Sequence, residues 1–559
     1  MKTLRRITRK TRKNLVIATL VGAFIGLTAF GSKDFEIAKN LDIFSSLFKE
    51  LVTQYVDDVN PSEVIKTGID EMLYSLDPYT TFIPESEIED VRFMTTGQYG
   101  GIGAVIRARG DYIVIAEPYQ DAPAYKAGLK AGDVIKEVNG RSVKDLNADD
   151  VRNLLQGQPG TTVSVKVERE GEEQLLGKTI ERDVVKIDNI PYYGMVNETT
   201  GYIKLTGFTQ NAGREVRNAF NRLREEQQVE SLILDLRDNG GGLMNEAVNI
   251  TNIFIDRDQL VVSTKGKIPD RNTTHHTLNN PVDKDIPLAI LVNRRSASAT
   301  EIVAGAIQDY DRGVVIGQRT FGKGLVQNVV PLSYNTQLKV TVAKYYIPSG
   351  RSIQAIDYAQ RREDGSVEKI PDAHKSEFTT QNGRIVYDGG GIEPDVALDP
   401  LIPAHVTREL ITGFHIFDFA TRFYRTHDEI AGPEEFSVSQ EMYDDFVQFL
   451  EERDFDYSTD SEKLLKELKG ISREEKYFEA IESLYIEMKD QIKQNKAADL
   501  ITFRPEIEWF LREEIVARYF YQKGRVLSNL EHDDEVREAV RLLNDKEKYA
   551  SILIPGEDQ

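Results

Sequence analysis

The stretch NRRSASATEIVAGAIQDY, residues 293–310, continues through GVVIG (313–317) into QRTFGKGLVQ (318–327). The apolar run Leu288–Val292 delivers the chain to the Ser/Ala turn that opens it. Beyond the turn, Ile302, Val303, Ala306 and Ile307 form a stripe of period 3.6, which predicts a helix. A short strand over 314–316 follows. Strand, turn, helix and strand in succession mark an α/β layer. A hydroxyl on such a turn lies at a helix N-terminus, where free N–H groups and the helix dipole favour negative charge. That suits a serine nucleophile, whose reaction builds an oxyanion. Spacing alone permits either Ser296 or Ser298.

Working outward, strands are predicted at 201–205, 232–237, 325–330 and 338–346, with a helix over 211–225. The apolar strand 232–237 runs into Asp238-Asn239-Gly240-Gly241-Gly242, and a helix resumes near Asn245. Glycines between a buried strand and a helix let another group approach the backbone, and their N–H groups are candidates for an oxyanion hole. A nucleotide-phosphate loop is excluded there, because neither G-x-x-x-x-G-K-[ST] nor G-x-G-x-x-G is present. Residues 356–387 are polar and charged and read as a surface insertion or flexible loop.

Residues 91–180 read as a small β-rich module. Gly100-Gly101-Ile102-Gly103 precedes a short strand, and A-x-x-A-G-L-K-A-G-D-V-I-x-x-V-N-G covers 124–140. Asn139-Gly140 signals a hairpin. Residues 147–155 are expected to be helical and 163–168 a strand. Residues 33–90 carry helical stripes (Ile43, Leu47, Leu51, Tyr55; then Val64, Ile65, Ile69, Met72, Leu73), closed by Asp77-Pro78. Residues 401–559 are helical and densely charged. They offer no chemical constellation and read as a packing or docking region with a solvated face.

Residues 1–13 hold seven basic residues and no acidic one, and an apolar run, 15–30, follows. This is the pattern of an export signal. Ala29-Phe30-Gly31 is a weak cleavage site, and the run length suits either cleavage or retention as an anchor. An exported, periplasmic protein is expected. At 559 residues several domains are required, and the net charge of −21 argues against a nucleic-acid partner. No cysteine is present, which removes disulfides and thiol chemistry. His275-His276 lacks a carboxylate at zinc-ligand spacing, so no metal and no cofactor is expected.

The ordered set Ser75-Leu-Asp-Pro-Tyr-Thr80, the β-rich module, Leu234-Asp-Leu-Arg-Asp-Asn-Gly-Gly-Gly242, Ser296-Ala-Ser-Ala-Thr-Glu-Ile302, Thr320-Phe-Gly-Lys-Gly324, Pro348-Ser-Gly-Arg-Ser-Ile-Gln354 and Gly391-Ile-Glu-Pro-Asp395 resembles the carboxyl-terminal processing peptidases, or tail-specific proteases. The module itself resembles a PDZ domain, in which a glycine loop holds a terminal carboxylate and a strand edge pairs with the peptide. The resemblance implies a multidomain α/β fold: a mixed α/β (ClpP/crotonase-like) protease core at 190–400, a PDZ domain at 91–182 before it, and helical regions at 32–90 and 401–559, after a signal or anchor at 1–31.

It further implies Ser298 as nucleophile, Lys323 as base and Gln327 as third member. The oxyanion hole would come from the backbone of Ala299 and of a glycine among Gly240, Gly241 and Gly242. Gly101, Ile102 and Gly103 would bind the peptide C-terminus. Thr300 stands where serine is common. Partners would be proteins or peptides with free C-termini; membrane association through residues 15–30 and self-association stay open.

The residues agree with this chemistry. A lysine base must be neutral, and bringing its pKa from about 10.4 to near 7 costs about 4 kcal/mol of destabilised charge. Phe321, Gly322, Gly324, Leu325 and Val326 give apolar surroundings with no adjacent carboxylate. Gln327 shares a face with Lys323 if the strand extends that far. A non-catalytic PDZ scaffold on a protease-like fold is the alternative; the intact Ser298, Lys323 and Gln327 argue against it.

Overall fold

The computed structural model describes residues 33–554 apart from Glu363. The export signal read in residues 1–31 lies outside the described residues. Among the described residues, no helix is long and apolar enough to cross a membrane. The chain divides into two compact units, with the break between Phe82 and Ile83. In the first, residues 33–54 are helical. The helix Pro61–Tyr74 follows, with Asn60 as N-cap accepting from Ser62 N–H. The turn beyond it closes on Asp77, whose Oδ1 accepts from the N–H of Tyr79 and of Thr80, each at 2.8 Å.

The second unit is built on a six-stranded sheet. Its strand order is Tyr192–Met195, Thr200–Lys204, Ser231–Asp235, Leu288–Val292, Val314–Gly317 and Val396–Ala397. The first pair is antiparallel and the rest are parallel. Both faces are covered, which explains why these strands read as unbroken apolar runs. Leu232, Leu234, Ile290, Val292 and Val315 face one way, against Phe220, Ala247, Ile302, Val303 and Ile307 from the helices Ala212–Gln227, Met244–Thr251 and Ala299–Asp309. Ile233, Ala289, Leu291, Val314 and Ile316 face the other way. They meet Val536, Ala539, Leu542 and Leu543 of the helix Asp534–Asn544. The C-terminal region therefore supplies the second layer of the α/β core, the packing alternative of the two roles, packing or docking, read for it in the sequence.

The same strand order places the site. Parallel strands end at one edge of a sheet, and there the segments after Asp235, Val292 and Gly317 emerge side by side. These three carry the glycine segment, Ser298 and Lys323. A smaller antiparallel sheet, in which Gln337–Tyr346 pairs with both Leu260–Gly266 and Leu325–Pro331, lies next in the chain.

The β-rich module forms a sheet ordered Ala104–Arg109, Tyr112–Pro118, Val134–Val138, Thr162–Glu168, Leu176–Glu181. Ala104–Arg109 is an edge strand, open to pairing with an added chain. The Asn139-Gly140 hairpin has positive φ at both residues, 50° and 77°, as its tight turn requires. The glycine run is less of a loop than the sequence suggests. Gln98–Gly101 is a strand paired with Asp183–Lys186. Gly101, Ile102 and Gly103 are all buried, with the Tyr99 ring packed over Gly101 and Ala122 against Gly103.

Of the two readings of residues 356–387, surface insertion or flexible loop, the flexible loop does not hold. These residues form two hairpins, Ile356–Arg361 with Val367–Lys369 and Glu377–Thr379 with Ile385–Tyr387. Arg384 ties the second hairpin to the core through Asp311 and Asp395, each at 2.6 Å. Long-range ion pairs of this kind leave no trace in a polar local sequence. The C-terminal helices share a core around Phe419, Phe446, Phe449, Leu511 and Ile515. That bundle also grips the β-rich module: Arg109 donates to both oxygens of the buried Asp418, at 2.9 and 2.6 Å.

Candidate active site

The Ser/Ala turn separates its two serines. Ser296 is fully buried, and its hydroxyl donates to Leu236 O at 2.9 Å while accepting from Asn293 N–H at 2.9 Å. It pins the turn to the neighbouring strand end and is occupied by that task. Ser298 is half-buried and serves as N-cap of the helix Ala299–Asp309, with φ 59° and ψ −115°. L-residues avoid this region because Cβ crowds the carbonyl, so the surroundings must hold it there. Spacing permits either serine and the family resemblance implies Ser298; the structure shows Ser296 buried with its hydroxyl engaged and Ser298 half-buried.

Glu301 does most of the holding. It is fully buried and lies one turn into the helix. Its Oε2 accepts from Ser298 N–H at 2.8 Å and from Lys323 N–H at 2.9 Å. Its Oε1 accepts from the Thr320 hydroxyl at 2.6 Å and from Gly322 N–H at 2.7 Å. One carboxylate thus fastens the backbone of the serine turn to the backbone of the lysine loop. The Tyr345 hydroxyl repeats the link from the other side, 3.1 Å from Ser298 O and 2.5 Å from Lys323 O. Neither residue was singled out from the sequence. The S-x-x-E spacing of a capping box was the available signal for Glu301; nothing local marks Tyr345.

Lys323 is half-buried. Its loop is further shaped by Gly322, with φ 86°, where a Cβ would come within 2.4 Å of the Ala355 Cβ. The expectation that no carboxylate adjoins Lys323 holds along the chain but not in space, since Glu301 reaches its N–H. The strand argument for Gln327 changes too. The strand Leu325–Pro331 starts after Lys323, and its pairing shifts register between Val326 and Gln327. Strict alternation therefore does not relate the two side chains. Gln327 Nε2 donates to Thr341 Oγ1 at 3.3 Å.

The glycine segment lies against the turn. A Cβ at Gly241 (φ 95°) would fall 2.6 Å from Ala297 O and 2.9 Å from Ser298 Cβ, so only glycine fits there. Asn239, fully buried, organises the approach: its carbonyl accepts from Ala297 N–H at 3.0 Å and from the Thr300 hydroxyl at 2.9 Å. Its Oδ1 accepts from Gly241 N–H at 2.9 Å. An oxyanion would have to draw that N–H away from Asn239. Gly240 leaves open space where a Cβ would be. Ala299 N–H belongs to the first helical turn, where no intrahelical acceptor is available. The structure thus brings Ser298, Lys323, Ala299 and the glycines to one edge. Gly101, Ile102 and Gly103 belong to the β-rich module instead.

Burial pushes the Glu301 carboxyl up to about 7 from 4.5, against the pull of the hydrogen bonds from Thr320, Lys323, Ser298 and Gly322. Four donors converge on it, and a proton on either oxygen would face one of them. Activity is therefore expected to rise with pH through about 7 as Glu301 ionises. Stability should run the other way. A folded pKa above the unfolded value means that stability is full below 4.5 and is lost as pH rises through about 7. Glu301→Gln cannot accept from all four donors and should lower kcat roughly 10–100-fold and make the acidic limb less steep, leaving only the limb set by the base itself. A pH profile of kcat for both proteins checks this; a variant limb as steep as the parent's contradicts it.

Comparison with known proteins follows the same division. Residues 199–361 match the family described as Peptidase family S41, residues 114–169 match a PDZ domain, and residues 406–543 match the C-terminal helical domain of probable PDZ-proteases. A carboxy-terminal-processing protease of Bartonella bacilliformis is 34% identical over 321 residues, covering 57% of this chain and 73% of that protein. The chloroplastic C-terminal processing peptidase of Tetradesmus obliquus is 37% identical over 298 residues, covering 50% and 63%. Among solved structures, the photosystem II D1 C-terminal processing protease is 30% identical, covering 65% of this chain and 93% of that one, with a TM-score of 0.36.

Proposed function

We propose, for a chain that belongs to the carboxy-terminal-processing proteases of peptidase family S41, that it is an exported serine endopeptidase acting on protein tails through Ser298 and Lys323. The observation that carries this reading is the shared anchorage of Ser298 N–H and Lys323 N–H on the buried Glu301 carboxylate. A binding scaffold has no use for a strained serine strapped to a lysine loop.

In this mechanism Lys323, neutral, takes the Ser298 proton as Oγ attacks the scissile carbonyl. The negative charge that develops on the carbonyl oxygen is received by backbone N–H groups of Ala299 and of Gly240 or Gly241. Lys323 returns the proton to the leaving amine, and an acyl-enzyme remains on Ser298. Water then attacks with Lys323 again as base. Gln327 is the third member, supporting the lysine through a neutral amide that adds no charge. Export rests on the basic-then-apolar pattern of residues 1–30.

The PDZ domain supplies selection. Its edge strand Ala104–Arg109 would pair with an extended tail, and the segment Gly101-Ile102-Gly103 would receive the terminal carboxylate. Amidating the C-terminus of a peptide substrate removes that charge while leaving the scissile bond alone. KM should rise roughly 10–100-fold with kcat little changed, the loss being one charge-assisted recognition. Equal KM for free and amidated tails would remove the PDZ module from substrate selection.

A further inference from the structure

Residues 401–559 offered no chemistry in the sequence, yet two of their carboxylates reach the edge of the sheet that carries the site. The helix Asp534–Asn544 packs its apolar face on the sheet, and its N-terminus stops beside the strand ends. Asp533 caps it, accepting from Glu535 N–H at 3.0 Å and Val536 N–H at 3.1 Å. Glu535 Oε2 accepts from Arg237 Nη1 at 2.6 Å, and its Oε1 accepts from Gln318 Nε2 at 3.2 Å. Asp533 Oδ2 also lies 2.7 Å from Arg237 Nη1.

The positions of these partners decide what the contact can do. Arg237 immediately precedes Asp238-Asn239-Gly240-Gly241, the segment lying against Ser298. Gln318 immediately follows Gly317 and opens the loop that leads to Lys323. The strand between them, Leu288–Val292, leads to Ser298. Gln318 N–H donates to Val292 O at 3.0 Å, and Asp238 exchanges bonds with Asn293 at 3.0 and 3.1 Å. One carboxylate from the C-terminal helix thus bridges the two segments flanking the nucleophile strand. Gly317 (φ 119°) lets the chain pass close to the nucleophile strand: a Cβ there would lie 2.2 Å from Val292 O.

The helix also adds to a charge cluster already present at the strand ends. Arg237 is shared by Asp235, Asp533 and Glu535, and Lys204 adds a bond to Asp235 at 3.1 Å. Apolar packing by Val536, Ala539 and Leu542 would seat the helix without any of this. The acidic pair is an addition that packing does not explain.

We propose that the C-terminal helical region is part of the active-site framework. Glu535 and Asp533 act as positioning residues. Through Arg237 and Gln318 they hold the oxyanion segment and the Lys323 loop in register with Ser298. The inference rests on the Ser298–Lys323 reading above.

The test uses the full chain with a free-tail peptide, reading kcat, KM, melting temperature and the rate at which a fluorophosphonate labels Ser298. Glu535→Ala should lower kcat roughly 10–100-fold with KM within about two-fold, and the labelling rate should fall in parallel. Glu535→Gln keeps one acceptor and should recover a clear part of the loss. Asp533→Asn keeps the N-cap, since Asn caps as well as Asp, and should cost roughly 3–10-fold through Arg237 alone. Glu538→Gln, on the same helix but paired with Arg541, should match the parent. The proposal is overturned by a Glu535→Ala kcat within about two-fold of the parent, or by a rise in KM at constant kcat. It is equally overturned by a kcat loss that Gln does not recover and that tracks a fall in melting temperature. Ser298→Ala, assayed alongside, separates the two ideas: an active Ser298→Ala protein defeats the underlying reading, whereas an inactive one with a normal Glu535→Ala defeats only this inference.

Discussion

Replacing Ser298 by alanine is expected to lower kcat for tail cleavage by roughly 10^4–10^6-fold, the range seen when an enzyme loses its nucleophile but keeps its binding site. KM should stay near the parent value, because the proposed tail contacts lie in the β-rich module. Ser296→Ala is the informative neighbour. Its hydroxyl is buried between Leu236 O and Asn293 N–H, so its loss should show as reduced stability, about 1–3 kcal/mol, with much of the activity kept. Ser298→Gly adds a second reading of the same residue. Glycine adopts φ 59°, ψ −115° without penalty, so this variant should be inactive yet more stable than the parent by about 1 kcal/mol. An enzyme that is stabilised by losing its serine has been holding that serine under strain. Peptide cleavage assays and thermal melts of the three variants check the set; cleavage surviving in Ser298→Ala refutes the assignment.

Lys323→Ala is expected to have the second largest effect, roughly 10^3–10^5-fold in kcat at neutral pH. Lys323→Arg should be nearly as inactive, because a guanidinium stays charged at any working pH and cannot take the serine proton. This pair distinguishes a base from a positive charge that merely attracts substrate: in the second role arginine would serve as well as lysine. Neither variant should unfold the protein. The bonds that shape the loop come from the backbone of Gly322 and Lys323 and from the Thr320 hydroxyl, none of which the substitutions remove. A Lys323→Arg protein with more than about a tenth of parent activity would contradict the role.

What could be read from the sequence is what local pattern encodes. Leu288–Val292 is apolar throughout because it is covered on both faces, and the stripe of the helix Ala299–Asp309 announces the face it buries. The serine turn and the glycine segment follow as the ends of such strands. Less legible are contacts made by residues distant in sequence. Glu301 looked like one more acidic residue in a first helical turn, and only the fold shows four donors around it. The nearness of Glu301 to Lys323 crosses 22 residues, so no window of sequence could reveal it. The hairpins of 356–387 were missed because their alternation is short and polar. The second layer of the core was missed because Val536, Ala539 and Leu542 read as an ordinary amphipathic stripe whose target, the sheet face of Ile233 and Leu291, lies about 250–300 residues earlier. The preference for Ser298 over Ser296 comes from the resemblance to the processing peptidases; the difference in their burial is a property of the fold that spacing does not carry.

The most direct measurement is peptide mapping by mass after the protein reacts with a fluorophosphonate, in the parent, Ser298→Ala and Lys323→Ala proteins. The account predicts a single adduct on the parent peptide containing Ser298, none in Ser298→Ala, and labelling slowed by at least about 100-fold in Lys323→Ala at neutral pH. An adduct on Ser296, or cleavage of tail substrates by a protein whose Ser298 carries no adduct and cannot be labelled, would contradict it.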